Sequence, residues 1–68
     1  MYKLKIDLIL REPIVLELED RDDAYRVRHD IEFWMKRDSL IHLNWEHGYQ
    51  GRITINPAYV RTLEVVEE

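Results

Sequence analysis

The sequence contains no cysteine, only two glycines and two prolines, and no apolar run of the length that crosses a membrane. The absence of cysteine excludes disulfides, a thiolate nucleophile and a zinc–sulfur site. Phosphate-binding loops need glycines at the start of a helix, whereas both glycines here fall between two predicted strands. The chain also lacks a basic excess, because its formal net charge is −4. A general nucleic-acid binder, which neutralises phosphates with a basic surface, is therefore disfavoured.

The composition that remains is typical of one small folded domain. The 68 residues are 46% hydrophobic and 35% charged, which is too apolar for a disordered acidic tail. A chain of this length has room for a single domain, which we place at residues 1–68. The first residues alternate between polar and apolar, unlike a signal peptide. Together with the absence of cysteine, this favours a cytoplasmic protein.

Two alternating runs near the start of the chain predict a β-hairpin. Residues 2–10 place apolar side chains at every second position, as a half-buried strand does. A break at Arg11-Glu12-Pro13 follows, and proline cannot donate to a strand ladder. Residues 14–18 then alternate again, so the two runs are expected to pair.

The pattern changes to helical spacing at Asp20 and returns to period two at Ser39. The helix is predicted to run from Asp20 or Asp22 to Lys36 or Arg37, with no glycine to mark its end. A strand over residues 39–46, a loop over residues 47–51 and a return strand over residues 52–56 predict a second hairpin. After the turn at Asn56-Pro57, residues 59–66 are predicted to form a last strand, after at most one short helical turn.

This order, β-β-α-β-β-β, predicts a small two-layer α+β domain, a mostly antiparallel sheet with one helix packed on one face. The opposite face of the sheet is expected to be polar, with Lys3, Lys5, Asp7, Glu17, His42, Asn44, Arg52 and Thr54. The predicted core consists of Leu4, Ile6, Leu8, Leu16, Leu18, Val27, Ile31, Trp34, Leu43, Ile53 and Ile55.

No group of residues predicts catalysis or a cofactor. His42 and His47 lie five positions apart, on opposite faces of an extended strand, and nothing brings His29 near them. Ser39 is the only serine and lies where a turn is expected. Carboxylates such as Glu17 would point to solvent, whereas a general acid needs a cleft that shifts its pKa. We therefore expect a protein that is not an enzyme, with no metal and no cofactor.

Aromatic residues indicate two surfaces that could bind a partner. Tyr25, His29 and Phe33 recur at intervals of four along the helix, and Phe33 lies about 200° around the helix axis from the core residue Ile31. This second stripe predicts a partner-binding face, although a lone exposed aromatic is also common. A second set near the last two strands is a candidate for ligand binding: Trp45, Tyr49, Arg52, Tyr59 and Arg61.

The C-terminal segment Ile53-Thr54-Ile55-Asn56-Pro57-Ala58-Tyr59-Val60-Arg61-Thr62-Leu63-Glu64 resembles a strand, turn and strand of short phage- and prophage-encoded proteins. FlbD-like flagellar proteins have a similar segment. The matching positions are Ile55-Asn56-Pro57, Val60 and Leu63-Glu64. The resemblance covers about 12 of 68 residues and implies a chain reversal at the proline and no catalytic residue. It implies a small phage accessory protein that binds a host protein, assembles with itself or sequesters a ligand.

Three functional hypotheses follow, from different classes. The first is a protein-interaction module that self-associates and binds or inhibits a host protein. The second is a binder of a small nucleotide-like ligand at a subunit interface. The third is a nucleic-acid mimic or module, based on five acids in residues 17–23, although helix capping also explains these acids. We favour the first hypothesis, with no direct nucleic-acid partner and no membrane.

Overall fold

The computed structural model describes all 68 residues and confirms the predicted class and element order. A helix packs on mostly antiparallel strands, so the domain is α+β. The strands are β1 (Tyr2–Leu8), β2 (Ile14–Leu18), β3 (Ile41–Leu43), β4 (Ile53–Ile55) and β5 (Val60–Glu67), and the helix is α1 (Arg21–Lys36). Two single 3-10 turns, Trp45–His47 and Pro57–Tyr59, precede β4 and β5.

The strands form two separate sheets, whereas the sequence predicted one. β1 lies at the centre of a three-stranded antiparallel sheet of order β2-β1-β5. β3 and β4 pair only with each other, through three residues each. The second hairpin joins the three-stranded sheet through a single backbone hydrogen bond, from the Glu17 N–H to the Gly48 carbonyl at 3.1 Å, and otherwise packs on the core through side chains.

Side chains from both sheets and from α1 meet in one apolar core. The helix contributes Ala24, Val27 and Ile31, all fully buried. Of the predicted core, Trp34 and Ile53 are only partly buried, while Ile14, Ala24 and Ile41 are buried although they were not predicted. The complete buried cluster is Leu4, Ile6, Leu8, Ile14, Leu16, Leu18, Ala24, Val27, Ile31, Ile41, Leu43 and Ile55.

The helix ends without glycine because Asp38 adopts the left-handed conformation in its place, with φ 55°. The backbone N–H of Ser39 donates to the carbonyl of Trp34 at 3.0 Å, and that of Asp38 donates to Met35 at 3.1 Å. This pair of bonds is the Schellman motif, which satisfies carbonyls that the last turn leaves free. Aspartate tolerates the left-handed region better than most residues.

The second hairpin has shorter strands and a longer connection than the sequence predicted. The strand predicted over residues 39–46 ends at Leu43, because Asn44 caps a 3-10 turn. The Asn44 side chain accepts from the Glu46 N–H at 2.9 Å, and His47 Nδ1 accepts from the Asn44 N–H at 3.2 Å. Trp45 was expected on the same side as Leu43, but the turn directs it outward, where it is 77% exposed.

Candidate functional site

The largest apolar depression lies between the loop of the first hairpin and the turn that precedes β5. Its volume is about 560 Å³. We call this depression the Leu10 groove. It is lined by Leu8, Ile9, Leu10, Arg11, Leu40, Thr54, Ile55, Asn56 and Tyr59. Six of these nine residues are hydrophobic, and the groove contains no acid.

Local hydrogen bonds hold both walls of the Leu10 groove. The Ile9 N–H donates to the Tyr59 carbonyl at 2.9 Å, which ties the hairpin loop to the second 3-10 turn. The Asn56 side chain accepts from the Ala58 N–H at 3.0 Å and caps that turn, in which Pro57 occupies the first position. Proline suits this position because it lacks the backbone N–H, which would have no hydrogen-bond partner at the start of the turn. Tyr59 is thus fixed in place and half exposed.

Leu10 is the most exposed large apolar residue of the chain, at 99%. Its φ is 59°, in the left-handed region that side chains with a Cβ adopt at a cost of about 1–2 kcal/mol. Ile9, Leu40 and Tyr59 around it are each about half exposed. An apolar side chain is therefore held out in water by a backbone conformation that itself opposes folding.

Sequence reasoning did not predict the Leu10 groove. The alternation over residues 2–10 placed Leu10 on the buried side of a strand, but β1 ends at Leu8 and a turn follows. The available signals were Ile9 and Leu40, apolar residues on the predicted polar faces of their strands. Both lie at the ends of runs, where the strand assignment was weakest.

The stripe of Tyr25, His29 and Phe33 lies on the exposed side of α1, away from the residues that α1 buries. Tyr25 and Phe33 are 44% and 48% exposed, and His29 between them is also exposed. Arginine side chains cover both rings: the Arg21 guanidinium lies 5.6 Å from the Tyr25 ring centre and that of Arg37 lies 4.5 Å from that of Phe33. A partner would have to displace or share these cations, and the binding role of the stripe stays a prediction.

The five residues predicted to bind a ligand do not surround one cavity. Tyr49 lies beside Val15 and Glu17, in a depression next to β2. Tyr59 lines the Leu10 groove, and Arg61 lines a third depression between α1 and β5. Trp45 projects from the first 3-10 turn and Arg52 lies exposed just before β4. One chain does not bring these five residues into a single cavity, and a ligand site that they form at a subunit interface stays a prediction.

The depression between α1 and β5 has mixed polarity and a volume of about 270 Å³. Arg28 Nε lies 3.3 Å from Glu32 Oε1, but this buried nitrogen makes no aligned hydrogen bond. The pair is thus an ion contact rather than a hydrogen-bonded bridge. The depression is lined by Arg28, Glu32, Met35 and Lys36 from α1 and by Val60, Arg61, Thr62 and Leu63 from β5.

No match was found among protein-family models, curated proteins or solved structures.

The histidines have local structural contacts. His47 accepts the Asn44 N–H and packs edge-on against Trp34, with ring centres 5.8 Å apart. His42 Nδ1 lies 3.2 Å from the Thr54 hydroxyl, across the β3–β4 pair. No three histidine or acidic side chains lie close enough together to hold a metal ion. No helix is long and apolar enough to span a membrane.

Lys3 is the one ionisable residue whose pKa clearly departs from its ordinary value. Lys3 Nζ lies 2.9 Å from Glu68 Oε2. The hydrogen bond to Glu68, followed by the charge of that carboxylate, raises the pKa of Lys3 above 10.5, and the charge of Glu17 adds to the effect. Lys3 lies on an open strand face rather than in a cleft, so this shift indicates a surface ion pair and not a catalytic base.

Proposed function

We propose that this domain is a non-enzymatic protein-interaction module that self-associates and binds a partner protein through the Leu10 groove. The observation that carries the proposal is Leu10 itself, fully exposed and in the left-handed conformation. Strained backbone that persists in a fold is concentrated at functional sites. Burial of one exposed leucine in an interface contributes about 1.5–3 kcal/mol, more than a typical surface ion pair, at about 0–1 kcal/mol.

The shape of the groove supports a protein partner better than a small charged ligand. It is open, apolar and rimmed by Arg11, Thr54 and Asn56, which matches the apolar centre and polar rim of protein interfaces. The resemblance of the C-terminal segment to phage proteins suggests a host protein as the partner, and the absence of cysteine suggests the cytoplasm as the compartment. Both remain predictions. The small-ligand alternative, with its site at a subunit interface, stays a prediction.

The test is the substitution Leu10→Asn. Asparagine adopts the left-handed region readily, and Leu10 has almost no buried contact to lose. We therefore expect the free energy of unfolding to rise by about 0.5–1 kcal/mol, while partner binding weakens at least tenfold, as loss of about 1.5–3 kcal/mol implies. Urea unfolding measures the first effect. Quantitative pull-down from the native host, with mass spectrometry, measures the second.

Two further variants separate surface chemistry from backbone strain. Leu40→Asn removes a half-exposed apolar side chain of the same groove, so it should weaken binding without the gain in stability. Val15→Thr changes an exposed apolar residue that lies outside the groove, so it should leave binding unchanged. If Leu10→Asn and Leu40→Asn retain the same captured proteins at the same affinity, the Leu10 groove is ordinary surface and the proposal is wrong.

A further inference from the structure

The depression between α1 and β5 concentrates positive charge in a protein that is acidic as a whole. Three of the residues that line it are cations, Arg28, Lys36 and Arg61, and only Glu32 is an acid. The depression therefore has a formal charge of +2, whereas the chain carries −4. Because acids outnumber bases by 14 to 10 in the chain, an average patch of its surface would be negative.

Two of these three cations have no acidic partner within the chain. Lys36 and Arg61 take part in none of the four ion pairs. Glu32 lies four positions before Lys36, a spacing that favours an ion pair on a helix, yet Glu32 contacts Arg28 instead. Since Arg28 and Glu32 offset each other, the surplus positive charge is that of Lys36 and Arg61.

A β-bulge brings Arg61 to this depression. The register of β1 against β5 skips Arg61, which is the extra residue of the bulge. With this extra residue, Val60 and Leu63 both pack against the core, although strict alternation would place them on opposite faces of the strand. Arg61 is exposed and lines the depression beside α1. Bulges are frequent next to functional sites, where they re-aim a side chain.

Arg28 supplies a buried donor that the chain itself does not use. Its Nε is the only buried side-chain nitrogen or oxygen without a hydrogen-bond partner. A buried donor that has no acceptor is unfavourable. An oxyanion in the depression would provide acceptors for the Arg28 guanidinium, a group whose planar fork matches the oxygens of phosphate and carboxylate.

The depression also has an apolar part. Met35, Val60 and Leu63 line it and pack against the core while remaining partly exposed. Its volume of about 270 Å³ is just below the range of pockets for drug-sized ligands, roughly 300–1,000 Å³. These features fit a small molecule that carries both an anionic group and an apolar substituent.

We propose that this depression binds a small phosphate monoester, with the phosphate against Arg28, Lys36 and Arg61 and the apolar substituent against Met35 and Leu63. A phosphate monoester carries a charge of about −1.5 to −2 at pH 7, which matches the local charge of +2, whereas a carboxylate carries one charge. The site shares no residue with the Leu10 groove and goes beyond the proposed protein interaction.

The experiment is a titration of the isotope-labelled full chain with phenyl phosphate at constant ionic strength, followed by NMR. Saturable shifts are expected at the amides of Arg61 and Leu63. Phenyl phosphate should bind more tightly than inorganic phosphate, which lacks the ring, and more tightly than benzoate, which has one charge. Sodium chloride of the same ionic strength should give no saturable shift.

Charge variants assign the binding to the depression. Arg61→Gln and Lys36→Gln should each weaken phenyl phosphate binding by about three- to tenfold, and Arg61→Lys should retain more affinity than Arg61→Gln. Glu32→Gln should tighten binding several-fold, because it removes the one acid of the depression. Arg52→Gln is the matched control, since Arg52 is an exposed cation without an ion pair outside the depression. Circular dichroism checks the fold of each variant.

A further arm distinguishes a free ester from a lipid headgroup with the same chemistry. Phosphatidic acid also presents a phosphate monoester, so the chain is sedimented with phosphatidylcholine vesicles that contain or lack this lipid. Retention that requires both phosphatidic acid and Arg61 would identify the headgroup as a source of the ligand, and phenyl phosphate binding without such retention would identify a free ester.

Two results would overturn the phosphate site. The first is the absence of any saturable shift with phenyl phosphate up to about 10 mM. The second is an equal loss of affinity in Arg52→Gln and Arg61→Gln, which would mean diffuse attraction to surface cations. Partner capture by the Leu10 groove would stand in either case, because it depends on Leu10 and Leu40.

Discussion

At the scale of single residues, Lys3 provides the clearest prediction of pH dependence. Its ion pair with Glu68 is the shortest of the protein, at 2.9 Å, and it raises the pKa of Lys3 in the folded state above 10.5. A raised folded-state pKa contributes stability that is fully present below the unfolded pKa and is lost as the pH rises through the folded pKa. The contribution of this pair should therefore begin to fall above about pH 10.5 and be lost as the pH rises through the higher folded-state pKa of Lys3.

The measurement compares wild type with Lys3→Met by urea unfolding from about pH 8 to about pH 12. The difference in free energy of unfolding should be constant below pH 10.5 and should shrink above it. Lys5→Met is the control, because Lys5 lies on the same strand face without an ion pair. A difference that stays constant through the alkaline range would mean that Lys3 acts through its methylenes and not through its charge.

Single residues also show where sequence reasoning fails. Alternation correctly places Leu4, Ile6 and Leu16 in the core, because a half-buried strand imposes period two. It fails for Leu10 and Trp45, because both lie just beyond a strand end, where a turn redirects the side chain. In the second case a signal was present: Asn44, followed by His47 three residues later, resembles the spacing of a capping box.

At the scale of elements, the connection between β3 and β4 depends on Gly48. Gly48 has φ 81°, and a Cβ there would overlap the Glu17 carbonyl oxygen at 2.3 Å. Since that contact is main chain on main chain, neither side can yield by rotating a side chain. We expect Gly48→Ala to destabilise the domain by about 2–4 kcal/mol, from the strained φ and from loss of the Glu17–Gly48 hydrogen bond.

Gly51 is the matched control within the same connection. Its φ is 112°, but the nearest atom to an added Cβ is a Tyr49 ring carbon at 3.9 Å, which is ordinary contact. Gly51→Ala should therefore show the strain of a positive φ without a clash against β2, and should lower the free energy of unfolding by less than Gly48→Ala. Thermal unfolding of the two variants measures the difference. Equal losses would indicate that the hairpin does not pack closely on β2.

The elements also divide into those that periodicity predicts and those that it does not. Helix α1 occupies residues that the helical spacing indicated, because sixteen residues provide several turns of evidence. β3 and β4, with three residues each, are too short for alternation to define their ends. Their separation into a second sheet is a property of the tertiary fold that strand periodicity does not carry. The Leu10 groove is likewise formed only when the loop of the first hairpin meets the end of the second hairpin that carries Leu40 and Ile55.

At the scale of the whole molecule, one core of twelve residues holds all the elements together. A chain of 68 residues has a total stability of about 3–10 kcal/mol, at roughly 0.05–0.15 kcal/mol per residue. The free energy lost when a single buried side chain is truncated is therefore comparable with the total free energy of unfolding. Ile31 is fully buried on α1, whereas Phe33 on the same helix is 48% exposed, so the two residues test the core and the stripe separately.

We expect Ile31→Ala to lower the free energy of unfolding by about 2–5 kcal/mol, through lost burial and the cavity left behind. Phe33→Ala should lower it by about 1 kcal/mol or less, the size of a stacked cation at an exposed site. Urea unfolding followed by far-UV circular dichroism, which reports α1, and by tryptophan fluorescence, which reports Trp34 on α1 and Trp45 in the connection between β3 and β4, should give coincident transitions for both variants. A larger loss for Phe33→Ala than for Ile31→Ala would mean that the stripe belongs to the core. Transitions that separate would mean that the two sheets unfold independently, because the core would then no longer couple the second hairpin to the rest.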